Sequence, residues 1–171
     1  MFTSETDVQR ADWPLLQNGA VNLFWKHDIL ADACQQLHEL AYEIADVSCA
    51  GSPSSFQAQM SRALSWRETF GQEPWTGNLD ALSDGFRHYP FGPSARGALV
   101  LREFHHLVSA DRERARSILD IIEWSSRNHL LKGQCLIALV QTDDPTYECE
   151  GLGCRSANWN RREWFEADRG L

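Results

Sequence analysis

The chain has 171 residues, 43% of them apolar and 23% charged, which suits one domain or two small ones and is too apolar for a disordered chain. Its 24 acids outnumber 16 bases for a formal charge of -8, which repels phosphate backbones and disfavours direct nucleic-acid binding. No apolar run approaches the ~18 residues of a helical membrane span, and MFTSETDVQRADW carries acids where a secretory leader carries bases, so no membrane partner and no cleaved leader are expected.

Residues 1–20 are polar and read as an N-terminal arm, with Trp13-Pro14-Leu15-Leu16 docking on something apolar. Residues 21–25 read as a strand. Ile29, Ala33, Leu37, Leu40 and Ala41 give one apolar helical face over about 29–43. Residues 44–50 read as a second strand, closed by Gly51-Ser52-Pro53. Ser54 or Ser55 then caps a helix whose inner face is Phe56, Met60, Ala63, Leu64 and Arg67. Gly71 to Gly77 breaks it, and Leu79, Leu82 and Phe86 mark a shorter helix ended by Tyr89-Pro90. Ala98 to Leu101 is a strand, followed by a short helix near 103–108 and a long one over about 111–130. Leu136 to Val140 is the most strand-like run. Nearly continuous apolar strands alternating with helices imply a parallel sheet covered on both faces. The expected fold is therefore α/β: a small, mainly parallel sheet of about three core strands with helices around it. Residues 147–159 add a strand or hairpin, and 161–169 a terminal helix.

The segment Gly77-Asn78-Leu79-Asp80-Ala81-Leu82-Ser83-Asp84 carries the most chemistry. Asn78 can cap the helix start while Leu79, Leu82 and Phe86 turn inward. Asp80 and Asp84 are four apart, so both carboxylates project from one exposed side. The helix dipole favours an acid at Asp80, in the first turn, by about 0.3–1 kcal/mol. Asp84 lies a turn further in and gains little, and like charges at this spacing cost a few tenths of a kcal/mol. The dipole thus accounts for Asp80 but not for the pair.

Asn78-Leu79-Asp80-Ala81-Leu82-Ser83-Asp84 resembles the signature helix of the barstar family, intracellular inhibitors of secreted ribonucleases. The Pro74-Trp75 turn, Gly97 to Phe104, Ser117 to Ile122 and Gly133 to Val140 are similar to the family's other elements in the same order. The resemblance spans about 21–142, which makes this the barstar-like domain, and residues 143–171 look like the C-terminal extension of a longer bacterial branch. It implies a cytoplasmic inhibitor, in some cases an immunity protein, that binds a basic ribonuclease or related toxin and occludes its active site. Carboxylates on a helix can occupy phosphate subsites lined by Arg, Lys and His through charge-assisted hydrogen bonds. The resemblance assigns partner-binding roles to Asp80, Asp84, Ser83, Trp75, Asn78 and Gly77, and on the last helix to Trp124 with Glu123 beside it. Ser83 stands where the family's best-known member has a tryptophan, and Trp124 where a contacting glutamate is expected. Those departures imply the same class of basic target but a different nuclease, or a lost target, and the alternative reading is a module of the same fold for another basic protein, such as a non-ribonuclease toxin.

Other chemistries are weaker. Two exposed helix-face acids lack the buried, raised-pKa carboxyl of acid–base catalysis, so no enzyme is expected. Asp143-Asp144-Pro145 reads as a turn. Cys149 and Cys154 offer a C-x4-C pair with nothing to complete a zinc site, and His105 and His106, adjacent on a helix, point apart. No phosphate-binding glycine loop is present, so neither cofactor nor metal is expected. The five cysteines are odd in number and irregularly spaced, which fits reduced thiols in the cytoplasm.

Overall fold

A computed structural model describes residues 10–71, 74–153, 155–164 and 169. Five parallel strands form one sheet: β1 (Val21–Phe24), β2 (Glu43–Ser48), β3 (Arg96–Arg102), β4 (Cys135–Gln141) and β5 (Asn158–Trp159), in the order β2-β3-β4-β1-β5. The α/β class and the parallel sheet match the expectation; the sheet has five strands rather than about three. Beside the three buried strands β1, β3 and β4 stand the half-exposed β2, read in the sequence over 44–50 and paired with β3 from Glu43↔Gly97 to Ser48↔Arg102, and the two-residue β5 on β1. β4 is buried at every residue, as a central parallel strand with helices on both faces must be.

Alternation along the strands divides the core. Val21, Leu23, Leu99, Leu101, Leu136, Ala138 and Val140 point to one face. Phe24, Ala98, Val100, Ile137 and Leu139 point to the other. The second face is closed by α2 (His27–Glu39), through Ile29, Leu30, Ala33 and Leu37, and by Leu15 of α1 (Trp13–Leu16). The expected arm thus contains a helical turn that docks its leucine. The first face carries α3 (Pro53–Ala63), α4 (Trp66–Phe70), α5 (Leu79–Arg87), α6 (His105–Ala110) and α7 (Arg112–Leu130).

Several boundaries differ from the sequence reading. α2 ends at Glu39, because Ala41 turns to φ +60° before β2. Ser52, not Ser54 or Ser55, caps α3: its Oγ accepts the Ser55 N–H at 3.2 Å. The helix expected to run on to Arg67 breaks at Ser65, whose φ of +44° reverses the chain and turns Trp66 inward. In the C-terminal segment the expected strand is β5, and at the start of the expected terminal helix Arg161–Glu163 form a 3-10 turn; residues 165–168 lie outside the described residues. No helix among the described residues is long and apolar enough to cross a membrane.

Candidate functional site

The helix α5 has nine residues, too few to be stable alone. It is held by what it buries: Leu82 and Phe86 are fully buried, each contributing about 1.5–3 kcal/mol by burial. Gly85 faces inward beneath Trp66, where an added Cβ would lie 2.7 Å from the indole Cζ3. The ends are tied as well. Asn78 Oδ1 accepts the Ala81 N–H at 3.0 Å, satisfying an N-terminal donor. His129 Nε2 lies 2.8 Å from the Phe86 carbonyl oxygen, and His88 Nδ1 lies 2.9 Å from that of Asp84.

The loop entering α5 is clamped from two neighbouring helices. The Trp75 N–H donates to Ser61 Oγ at 2.9 Å, and Gln57 Nε2 donates to the Thr76 carbonyl at 3.1 Å, both from α3. Arg114 of α7 donates through Nη2 to the Gly77 carbonyl. The Trp75 indole N–H closes the loop on the Asn78 carbonyl at 2.6 Å. Gly77 has φ +102°, and a Cβ there would meet Arg114 Nη2 and Gln57 Nε2 at 2.9 Å.

This framework leaves one face of α5 in water. Asp80 and Asp84 are exposed, and Ser83 between them is partly exposed. Asp84 pairs with Arg87 at 3.2 Å, both side chains about half exposed at 54%; such a pair is worth about 0–1 kcal/mol, so an incoming cation competes easily. Asp80 has no ion pair among the described residues.

The remaining candidates divide by burial. Trp75 is 3% exposed and stacks edge-on to Phe56, so it packs the loop and offers no surface ring to a partner. Gly77 is buried, and Asn78 is exposed but engaged as the cap. Glu123 is 2% exposed, and its carboxylate accepts the Ala20 N–H at 2.6 Å and the Arg127 Nε–H at 3.1 Å. It fastens the chain before β1 to α7. Trp124 is 47% exposed on the outward side of α7. The ties from Arg114 to Gly77 and from His129 to Phe86 show that α5 and α7 run in the same direction in one layer, with Trp124 between those two ties. Asp80, Ser83, Asp84 and Trp124 thus share the outer surface of this layer. Sequence reasoning missed Arg114 and Arg87; an i,i+3 spacing from Asp84 signals Arg87, but nothing local signals a contact from residue 114 to residue 77.

Outside this surface, His105 and His106 do not point apart: their rings lie 4.3 Å between centroids, folded side by side at the start of α6. No group of three or more His, Cys, Asp or Glu residues that could hold a metal occurs among the described residues. Asp144 Oδ1 accepts the Thr146 N–H at 2.9 Å, the turn read in the sequence. Cys34, Cys49, Cys135 and Cys149 are free thiols, and Cys154 lies outside the described residues.

No protein-family model, no curated protein and no solved structure matches this chain.

Proposed function

We propose that this protein is a barstar-like inhibitor that binds a basic ribonuclease and covers its active site with α5. The observation that carries the reading is a short acidic helix whose inner face and both ends are fastened, while Asp80 and Asp84 stay in water with one weak competitor. A carboxylate pair held in place before association loses little freedom on binding, which favours affinity. The net charge of -8 speeds encounter with a cationic partner, and that steering weakens as salt rises. The order of elements around α5 supports the same reading, with the acidic helix before β3 and the long helix before β4. The partner-facing set is Asp80, Ser83, Asp84 and Trp124; Trp75, Gly77 and Asn78 act by holding the helix. Ser83 and the exposed Trp124 favour a target other than that of the best-known family member, and a non-ribonuclease basic toxin is the second reading.

The test is capture of partners by wild type and by Asp80→Ala/Asp84→Ala, followed by RNA cleavage assays on the captured protein. A basic ribonuclease held and inhibited only by the wild type is the expected result. Asp84→Ala alone should weaken the complex by about 2–5 kcal/mol, because it leaves a buried cation of the partner unpaired. A ribonuclease bound equally by both forms overturns the role of α5. A basic partner without ribonuclease activity, lost from the double variant, selects the second reading.

A further inference from the structure

A groove of about 270 Å³ opens at the C-terminal ends of β2 and β3, beside the Trp75 loop, with neither Asp80 nor Asp84 in its lining. Open parallel sheets bind ligands at this end of their strands. Its walls are apolar: Phe56 of α3, Trp75, Leu107 and Ala110 of α6, and Ile118 of α7. The Cys49 thiol also lines it, and burial pushes its pKa up, which keeps it neutral. The volume suits one aromatic ring with a short substituent.

The rim decides the substituent. Arg114 stands there, its guanidinium engaged among the described residues through Nη2, on the Gly77 carbonyl. His106 is exposed beside it. The Ser52 cap of α3 and the Asp111 cap of α7 bring two helix N-termini to the same rim. Among the described residues Asp111 is the one acid lining the groove, and its Oδ1 accepts the backbone N–H of Arg114 at 3.0 Å. Such a rim disfavours a cationic side chain of a basic partner and favours an anion.

We infer that this groove is a binding site for a small aromatic acid, with its ring against Leu107 and Ala110 over a floor of Phe56, Trp75 and Ile118 and its carboxylate at Arg114. The site does not rest on the inhibitor reading. The experiment is a titration of the isotope-labelled full chain with phenylacetate, phenylacetamide and acetate, followed by amide and indole N–H resonances. Phenylacetate should saturate with a Kd on the order of 1 mM, shifting the Trp75 indole N–H, Leu107, Ala110 and Ile118. Phenylacetamide should bind at least about fivefold more weakly, and acetate should not saturate. Ala110→Phe, from an exposed position at the end of α6, should fill the groove and abolish binding without moving the unfolding midpoint. Arg114→Gln should erase the preference for the acid over the amide. Absence of saturation by phenylacetate, equal binding of the amide, or binding that survives Ala110→Phe overturns the proposal.

Discussion

Gly77 and Gly85 are where single atoms matter most to α5. At φ +102°, with Arg114 and Gln57 closed around it, Gly77 has no room for a side chain. Gly77→Ala should cost about 1–3 kcal/mol from backbone strain and a disturbed clamp, read as a lower urea midpoint. Gly85→Ala drives a methyl into Trp66 and Leu64 and should cost a similar amount, about 1–3 kcal/mol, by overpacking. The opposite sign is expected at Ser125, which is 1% exposed on α7 and whose hydroxyl has no hydrogen-bond partner among the described residues. Ser125→Ala removes an unsatisfied buried polar group and should stabilise by about 1–3 kcal/mol in the same assay. None of the three is legible locally. Glycine in a helix and serine in a helix each have many causes, and here the cause is a neighbour distant in sequence. The same holds for Trp75 and Glu123, where residue type suggests a surface anchor and a surface charge. One became loop packing and the other a buried acceptor, because α3 and the chain before β1 close over them.

At the level of the element, α5 was readable because its signals are local and agree. A capping Asn78, an apolar 79-82-86 stripe and the two acids on the other face all lie within nine residues. Asn78→Ala should therefore destabilise the protein by about 1 kcal/mol, within 0.5–2, and increase amide exchange at Ala81 and Leu82 ahead of the rest of the molecule. If exchange rises uniformly instead, the cap is not what holds the first turn. Helix ends were less legible. The break at Ser65 lies within a run that keeps helical periodicity, and only the need to turn Trp66 onto Gly85 explains it. By contrast the cap at Ser52 had a local signal, since Pro53 after it suits the first helical position and holds the residue before it extended.

The whole molecule is closed by its C-terminal segment. Glu163 is fully buried and accepts N–H groups from Trp25 and Lys26, at 3.1 and 2.6 Å, where the chain leaves β1 for α2. Arg169 donates to the carbonyls of Pro145 and Glu163 and lies 3.8 Å over the Trp159 ring, and Arg162 pairs with Asp32 of α2. Burial raises the Glu163 pKa above its ordinary 4.5, outweighing the backbone N–H groups and the nearby Arg169 and Lys26, which lower it. A carboxyl with a raised folded pKa contributes stability that is full below its unfolded value and is lost as pH rises through the folded value. Glu163→Gln removes that dependence. The variant's stability relative to wild type should therefore improve from about pH 4 to pH 7, measured by urea unfolding across that range. A difference that is flat with pH would mean the carboxylate is not penalised by its burial. None of this strap was legible beyond a strand and a helical turn, since β5 is two residues long and gains meaning only beside β1.

What the chain order settled alone is the class and the acidic helix. The strands of an all-parallel sheet are continuous apolar runs, and a capped amphipathic helix carries its whole pattern within two or three turns. What only the tertiary structure decided is the strand order, the pairing of β5 with β1, the burial of Trp75 and Glu123, the clamp from Arg114 and the groove beside the Trp75 loop. Each of these depends on contacts across tens of residues, and local pattern does not encode which distant group a side chain will meet.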